Sequence, residues 1–588
     1  MEHKAEASGK IYDSKTLKRL FPFIRPYRVS FFTLIFITLA LGFLAPMRPI
    51  LIQYAIDSYV VKGDWKGLQL IIVGMFVLLF TQAIGTYFQT FLSNWIGQTI
   101  IRDIRIKLYA HILSLKVRFF DNTQIGRLVT RNISDIETIA DVFSEGLAAM
   151  AGDVLQLIFI LAYMFYIDWR LTLISLSMLP LLLISTYIFK ERIKVTFNEV
   201  RSAVANLNTF VQEHITGMSI VQIFGAEKQE MEKFEAINQE HRRANIRSVL
   251  YYSIYFPVAE VISAIGIGLL VWYGAQAAIK DEVTLGMLTA FIMYIAMFFR
   301  PIRTIADRFN TLQLGLVSTE RILKLLDHPE KVEDNGQIKD VDLVGEVRFE
   351  NIWFAYKEED YILKDISFDL KAGQTIALVG ATGSGKTSTI NLIARFYEYQ
   401  KGQIWLDNRK IEDYSLAFLR KHIGLVLQDV FLFNGSIREN ITLGSKDITD
   451  AQILYAADLV GAIRFIENLP GGFAYKVMER GNTLSVGQRQ LISFVRAMVY
   501  NPQILILDEA TSSVDSETEE MIRSAVEKIM KGRSSIVIAH RLSTIQKADQ
   551  ILVLDKGEIV ERGNHESLLA KEGFYAQLHD IQYKSTIA

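Results

Sequence analysis

Long apolar runs in roughly the first 310 residues constrain this chain more than any other feature of its sequence. A membrane-spanning helix needs roughly 20 mostly apolar residues, and six runs meet or approach that length. Buried helices of a soluble protein are typically shorter and amphipathic, so six membrane-spanning helices are the better interpretation. The runs are Ser30–Tyr59, Leu68–Gly97, Gly146–Ile167, Leu171–Phe189, Val249–Tyr273 and Val283–Phe299.

Loop charge predicts the orientation of these six helices. Short links follow the first, third and fifth runs, whereas long links rich in Lys and Arg follow the second and fourth. The positive-inside rule gives most weight to charges near the spans, such as Arg102, Arg105, Lys190 and Arg192. We therefore expect both termini and both long links to face the cytoplasm. The long links contain little Pro or Gly, so we expect them to be helical extensions of the spans.

The sixth run leads into a different type of sequence. Arg303–Leu326 is predicted to continue the helix, and a polar stretch with Pro and Gly, Asp327–Gln337, follows it. After about residue 345 the apolar runs are short and glycines are frequent, which is typical of an α/β domain. We predict a transmembrane domain over residues 15–327, a linker over 328–344 and a soluble domain over 345–588.

Length, charge and cysteine content narrow the function classes. The chain has 588 residues, more than one hydrophobic core usually supports. Its 63 basic and 64 acidic residues leave a formal charge of −1, which gives no sign of a nucleic-acid partner. It contains no cysteine, which excludes disulfide scaffolds, thiolate zinc sites, iron–sulfur clusters and cysteine nucleophiles.

A phosphate-binding loop stands early in the soluble half. The predicted strand Thr375–Val379 leads directly into Gly-Ala-Thr-Gly-Ser-Gly-Lys-Thr, and a predicted helix, Ser388–Tyr397, follows. This order matches the G-x-x-x-x-G-K-[ST] loop, in which glycines let backbone N–H groups curl around phosphate oxygens. Lys386 can reach the β- and γ-phosphates, and the hydroxyl of Thr387 can bind Mg²⁺. The expected phosphate-binding residues are Gly380, Thr382, Gly383, Ser384, Gly385, Lys386, Thr387 and Ser388.

Two adjacent carboxylates end a second apolar strand. The strand Ile504–Leu507 runs into Asp508 and Glu509. Uncompensated acid at the end of a buried strand is costly unless something uses the charge. Asp508 is placed to hold Mg²⁺ through water, and Glu509 to orient or deprotonate an attacking water. Solvated acids at a strand end would explain either residue alone, but explain both less well after a phosphate-binding loop.

The segment Thr-Leu-Ser-Val-Gly-Gln, residues 483–488, precedes these carboxylates and opens a predicted helix, Arg489–Tyr500. It resembles the ABC signature, which is usually LSGGQ. With the two phosphate-site motifs and six spans ahead of them, the chain resembles an ABC half-transporter of the exporter fold over residues 15 to 580. It is similar to bacterial lipid flippases and multidrug exporters. The resemblance implies a helical membrane domain with six spans fused to an α/β P-loop ATPase domain.

The resemblance also assigns roles that the residues alone would not. Without it, a core aromatic, a lone Gln, a charged loop at Glu479–Gly481 and a strand-end His would each have an ordinary structural explanation. By family position, Tyr356 stacks on adenine, and Gln428 contacts Mg²⁺ and water. The signature residues Ser485, Gly487 and Gln488 meet the γ-phosphate of the facing subunit. Asp515 ends the D-loop, and His540 is the switch histidine near the γ-phosphate. Gln428, Glu509 and His540 are the implied catalytic residues, and Thr387, Gln428 and Asp508 the implied Mg²⁺ ligands.

One position departs from the family pattern. Val486 stands where the signature usually has its first Gly, while Ser485, Gly487 and Gln488 remain. We expect the site to work with an altered ATPase rate. Glu509 is present, so the resemblance implies a competent subunit of a homodimer, or the active half of a heterodimer with a second half-transporter.

Transmission to the membrane is expected to pass through helices that cap the long links. The candidates are Asp121–Arg127 and Glu213–Ser219, each a break within helical sequence at a family coupling position; simple loop turns are the alternative. Arg48, Asp153 and Glu260 are ionisable groups near membrane depth. They are expected to line the pathway, to pair with one another or to snorkel at helix ends.

The expected function is ATP-driven export or flipping of a hydrophobic or amphipathic substrate, with ATP and Mg²⁺ as cofactors and membrane lipids as surroundings. The resemblance places such a chain in the bacterial inner membrane with its ATPase domain in the cytoplasm. An importer on the same fold, of the siderophore-uptake type, is the alternative. A soluble ATPase that clamps DNA ends would need a long coiled-coil insertion and no spans, which the six apolar runs oppose.

Overall fold

The computed structural model describes residues 19, 21–142, 148–357, 359–508, 516–538 and 542–583. The chain divides into two compact units. The first comprises Met1–Leu113 and Ile125–His328, and the second comprises Ser114–Gln124 and Pro329–Ala588. The short segment Ser114–Gln124 therefore belongs with the soluble half, although it lies between two stretches of the helical half.

The first unit is entirely helical in its described residues. Five of its helical segments are long and apolar enough to cross a membrane, and a shorter apolar stretch, Leu285–Phe299, opens the helix Leu285–Leu326. Most side chains in these apolar stretches face outward rather than into the unit, which only a lipid surrounding makes favourable. The chain is a multi-pass membrane protein. The helices of the first unit are Arg28–Leu44, Met47–Ala55, Trp65–Leu113, Ile125–Thr130, Ile136–Asp141, Ala148–Ile167, Trp169–Leu176, Leu179–Thr216, Met218–Ile223, Glu227–Ile279 and Leu285–Leu326.

Four of these helices extend well beyond their apolar runs: the helix Leu285–Leu326 does so after the sixth run, and three others do so at the basic links, where Pro and Gly are sparse. Trp65–Leu113 has 49 residues, Leu179–Thr216 has 38 and Glu227–Ile279 has 53. At 1.5 Å per residue each is about 57–80 Å long, roughly twice the thickness of the hydrocarbon core. Each long helix therefore carries a polar extension outside the membrane.

The first apolar run is not one continuous helix. It consists of Arg28–Leu44, Met47–Ala55 and a π-helical turn, Ile56–Val60, with the first break at Pro46. Proline lacks an N–H group and cannot continue the hydrogen-bond pattern. The carbonyl oxygen of Pro46 accepts a hydrogen bond from the buried hydroxyl of Tyr294 at 2.9 Å. This bond joins the break to the helix Leu285–Leu326.

The ionisable group of Asp153 is paired within the first unit. Arg308 Nε lies 3.0 Å from Asp153 Oδ2. The sequence suggested pairing among Arg48, Asp153 and Glu260, and did not identify Arg308 as a partner. The pair joins the helices Ala148–Ile167 and Leu285–Leu326. Its guanidinium neutralises a carboxylate that would be costly near the membrane.

The second unit is built on two main sheets. A six-stranded sheet has the order β12–β11–β3–β10–β9–β6, and a four-stranded antiparallel sheet has the order β2–β1–β4–β5. In the first sheet only the β11–β12 pair is antiparallel. The strands are β1 Val347–Ala355, β2 Tyr361–Leu370, β3 Thr375–Val379, β4 Lys401–Leu406, β5 Arg409–Lys410, β6 Ile423–Val426, β7 Gly435–Ser436, β8 Lys476–Val477, β9 Ile504–Asp508, β10 Ser534–Ile538, β11 Gln550–Asp555 and β12 Glu558–Gly563.

Helices cover this α/β unit. The near-continuous apolar strands β3, β9 and β10 are buried on both faces, as parallel strands between helices are. The helices are Val117–Asp121, Lys386–Ile393, Leu416–His422, Ile437–Thr442, Asp450–Val460, Ile463–Glu467, Val486–Met498, Ser516–Met530, Leu542–Gln546, His565–Ala570 and Phe574–Tyr583.

The predicted linker packs on the second unit. Ile338 N donates to Asp413 O at 3.0 Å, and Ser415 N donates to Ile338 O at 2.9 Å. The same stretch pairs with the segment Ser114–Gln124, because Val332 N donates to Ser114 O at 2.8 Å. These backbone bonds hold Ser114–Gln124 against the soluble domain.

Candidate nucleotide-binding site

The phosphate-binding loop has the strand–loop–helix arrangement that the sequence predicts. It follows β3 and ends at the helix Lys386–Ile393, which is shorter than the predicted Ser388–Tyr397. The helix ends early because Arg395 has a φ of 47°, in the left-handed region. Gly383 and Gly385 have φ values of 85° and 105°, and an ideal Cβ on Gly385 would lie 2.5 Å from Leu363 Cδ2. Both positions therefore require glycine.

Lys386 closes the loop upon itself. Its Nζ donates to Gly380 O at 2.7 Å and to Ala381 O at 2.9 Å, and the residue is only 8% exposed. Burial lowers the pKa of Lys386, and the charge of Asp508 opposes that shift. A buried ammonium whose partners are neutral carbonyls is suited to exchanging them for phosphate oxygens.

Hydroxyl groups and an aromatic ring flank the loop. Thr387 is exposed, whereas Ser384 and Ser388 are buried. The hydroxyl of Tyr356 lies 3.1 Å from Ser388 Oγ and accepts from Asn391 Nδ2 at 3.4 Å. Tyr356 is thereby fixed beside the phosphate loop, where the resemblance places an adenine-stacking ring.

Other predicted residues gather at the carboxyl edge of the parallel strands. In the register of the sheet, Leu378 lies opposite Ile538, which lies opposite Asp508. Asp508 is 8% exposed at the end of β9, and the exposed Gln428 follows the adjacent strand β6. Carboxyl ends of adjacent parallel strands are where open α/β sheets bind ligands. Glu509, Asp515 and His540 lie outside the described residues.

The signature segment forms a helix start. The helix is Val486–Met498 rather than the predicted Arg489–Tyr500, because Ser485 is its N-cap. Ser485 Oγ accepts from Gln488 N at 3.2 Å, and Gln488 Oε1 accepts from Ser485 N at 3.0 Å, which makes a capping box. Val486 is 46% exposed and Gly487 is buried. The valine therefore points to the surface and leaves the cap intact.

Comparison with known proteins identifies the family. The family model for the ABC transporter transmembrane region matches residues 31–302, and that for the ABC transporter matches residues 363–512. A relative from Bacillus subtilis, the uncharacterized ABC transporter ATP-binding protein YknV, is 38% identical over 99% of this chain and 97% of its own length. The chain belongs to the ABC transporter family.

Two further relatives of this ABC transporter carry more specific names. The probable multidrug resistance ABC transporter ATP-binding/permease protein YheH of Bacillus subtilis is 39% identical over 89% of this chain and 78% of its own length. The ATP-dependent lipid A-core flippase of Syntrophus aciditrophicus is 35% identical over 96% and 94%. Both match the membrane half as well as the ATPase half, so the half-transporter architecture is shared.

The ABC transporter also has a contact at this site that sequence reasoning missed. Tyr397 lies edge-on to Tyr356, with 4.8 Å between ring centroids and an interplanar angle of 86°. Its hydroxyl donates to the carboxylate of Asp121, on the short helix Val117–Asp121. The only signal in the sequence was the aromatic cluster around Phe396–Tyr399. Through Tyr397, the ring beside the phosphate loop is connected to a predicted coupling segment.

The donor set is suitable for Mg²⁺. The exposed hydroxyl of Thr387 and the carboxylate of Asp508 are hard oxygen ligands, and Gln428 adds an amide oxygen on the adjacent strand end. Mg²⁺ usually takes one or two protein oxygens and completes its shell with phosphates and water. The transporter therefore offers ligands of the right type. Within the described part of the chain, no group of three or more His, Cys, Asp or Glu side chains is arranged to hold a metal ion by itself.

Proposed function

We propose that this ABC transporter uses ATP to export or flip hydrophobic or amphipathic molecules across a membrane. The observation that carries the proposal is one chain in which a Lys386-closed phosphate loop is joined to long apolar helices of the ABC transmembrane type. The names of the relatives, a multidrug resistance transporter and a lipid flippase, support export, and none of those named here is an importer.

The phosphate loop accounts for ATP binding. Lys386 would exchange the Gly380 and Ala381 carbonyls for β- and γ-phosphate oxygens, and Tyr356 would stack on adenine. Thr387, Gln428 and Asp508 would hold Mg²⁺, which neutralises phosphate charge when bound. Glu509 would accept a proton from the attacking water, with His540 and Gln428 orienting the γ-phosphate and the water.

A second subunit would complete the site. The exposed start of the signature helix, at Ser485 and Val486, offers a hydroxyl and a helix N-terminus to a phosphate. The opposing surface is the exposed part of the phosphate loop, Ala381–Gly383. We infer that two copies meet face to face, each lending its Ser485–Gln488 segment and Asp515 to the neighbour. A homodimer is the simplest assembly, and a second half-transporter could replace one copy.

ATP would drive the cycle by shifting populations. A nucleotide that contacts both subunits only when they are closed favours the closed state by its differential affinity. Hydrolysis removes the γ-phosphate contacts and weakens that preference. The motion would reach the spans through the Asp121–Arg127 and Glu213–Ser219 segments. On the basis of loop charge, we place the ATPase domain and both termini in the cytoplasm. On the basis of the family resemblance, we place the spans in the bacterial inner membrane.

Transport by inverted membrane vesicles tests this proposal. ATP should accumulate a fluorescent lipid analogue or amphipathic dye inside vesicles that contain the wild-type protein, and Glu509→Gln should abolish accumulation while ATP still binds. ATP-driven depletion of the vesicle lumen would instead support the importer alternative. Equal accumulation by wild type and Glu509→Gln would refute the assignment of Glu509.

A further inference from the structure

The segment before the first apolar helix is fixed by contacts on one side. The hydroxyl of Tyr27 donates to Asp103 Oδ2 at 2.6 Å, and its ring lies edge-on to Trp95 with 5.9 Å between centroids. Ile24, one turn earlier, is 8% exposed. Both partners of Tyr27 belong to the helix Trp65–Leu113. The other side of the segment is therefore a defined surface of the folded unit.

The same segment lines a groove of about 580 Å³, which we name the elbow groove. Most of its lining is apolar and aromatic, and two guanidinium groups complete it. Both arginines are exposed, whereas Ile24 is buried beneath them. Its lining includes Phe21, Ile24, Arg25, Arg28, Phe31 and Phe32.

Two arginines close to the elbow groove, Arg19 and Arg102, are paired with carboxylates, whereas the two arginines of the groove are not paired with any described carboxylate. Arg19 binds both carboxylate oxygens of Asp327, at 2.7 and 2.6 Å, and Arg102 pairs with Asp103 at 2.9 Å. Within the described parts of the chain, Arg25 and Arg28 have no carboxylate in salt-bridge range. Their charge is available to an anion from outside the fold.

The elbow groove lies where the membrane begins. Arg28 is the first residue of the apolar helix Arg28–Leu44. Phe32 and Phe36, on the next two turns, are 66% and 70% exposed, as side chains that face acyl chains are. A groove at this boundary meets lipid headgroups at its charged end and hydrocarbon at its aromatic end.

We propose that the elbow groove binds one anionic phospholipid, with its headgroup phosphate on Arg25 and Arg28 and an acyl chain along Phe31 and Phe32. A planar guanidinium matches two oxygens of a phosphodiester, and two such groups favour an anionic over a zwitterionic headgroup. The inference concerns the helical unit alone and does not depend on the ATPase assignment.

Native mass spectrometry of the full-length detergent-solubilised protein tests this site. Titration with phosphatidylglycerol should show a tight first binding event in the wild type. Each basic side chain near an anionic lipid is worth a factor of about 5, so R25Q/R28Q should weaken that event about 25-fold. The control K62Q/K66Q makes the same charge change in the Val60–Gly67 link and should bind like wild type. R25K/R28K keeps the charges without the planar fork, and its affinity should be intermediate.

Three results would overturn the proposal. The first is unchanged phosphatidylglycerol affinity in R25Q/R28Q, which would show that the two arginines do not hold the headgroup. The second is an equal loss of phosphatidylcholine binding, which would show that the arginines do not distinguish an anionic headgroup from a zwitterionic one. The third is displacement of the lipid by millimolar inorganic phosphate, which would show a free-anion site.

Discussion

Replacing Tyr397 by phenylalanine removes one hydrogen bond and keeps the ring. The lost bond joins the phenol to the carboxylate of Asp121, on the segment that we propose transmits motion to the spans. Burial and the Asp121 hydrogen bond both raise the pKa of Tyr397, so the phenol remains a donor throughout the neutral range. The edge-on contact with Tyr356, at 4.8 Å between centroids, should survive the substitution.

The magnitude follows from the exposure of the pair. A hydrogen bond to a charged group contributes about 1.5–3 kcal/mol when it is well shielded. Asp121 is exposed and Tyr397 half-buried, so solvent screening reduces this to about 1 kcal/mol. That corresponds to a factor of about 5 in the equilibrium that couples the two sites.

The assay is the ATPase activity of the reconstituted transporter with and without a transported dye. We expect Tyr397→Phe to lower the stimulation ratio about fivefold, with the KM for ATP within a factor of about 2. The matched control is Tyr399→Phe, because Tyr399 donates to Glu412 within the ATPase domain and does not bind Asp121. Adding Asp121→Asn to Tyr397→Phe should cause little further loss. Unchanged stimulation in Tyr397→Phe, or an equal loss in Tyr399→Phe, would refute the reasoning.

Three further predictions concern the ATPase domain. Glu509→Gln should retain ATP binding, measured with a fluorescent analogue, and lower turnover by a factor of about 100 or more; near-normal hydrolysis would contradict the role of Glu509. Arg496→Ala should lower the free energy of unfolding by about 2 kcal/mol, measured by chemical denaturation, because the half-buried guanidinium donates to Asn440 O at 2.8 Å and Phe431 O at 3.1 Å; an unchanged midpoint would contradict this. Burial lowers the pKa of Lys386 in the free protein, and bound phosphate should raise that pKa again. ATP affinity should therefore fall as pH rises through the lowered pKa, before the pH range in which an ordinary lysine titrates. ATP affinity that is independent of pH up to that range would contradict this prediction.

Local patterns explain why much of the fold was predictable. The β3 strand and its glycine loop are encoded within a few residues, since the φ values of Gly383 and Gly385 admit few alternatives. The long helices followed from apolar runs and from the near absence of Pro and Gly in the basic links. The start of the signature helix was less predictable. Ser485 and Gln488 form a capping box, but in the sequence the same residues are explained by the binding motif alone.

Contacts between distant parts of the chain could not be predicted in this way. Tyr397 and Asp121 are 276 residues apart, and Arg308 and Asp153 meet across two helices. Neither pair has a local pattern, because each depends on how helices and sheets pack. The elbow groove also depends on packing. The sequence shows Arg25 and Arg28 as charges before the first span, but only the folded segment shows that both line one groove.

We propose that each ATP is held by the phosphate loop of one copy and the signature segment of the other. The ATPase activity of mixed dimers distinguishes this arrangement from hydrolysis within a single copy. Lys386→Ala and Ser485→Glu should each inactivate the homodimer. In a mixed dimer of the two variants, one site carries both defects and the other carries none, so ATPase activity above both homodimers should return. Mixed dimers no more active than either homodimer, or full ATPase activity from a single wild-type copy in a lipid nanodisc, would contradict the account.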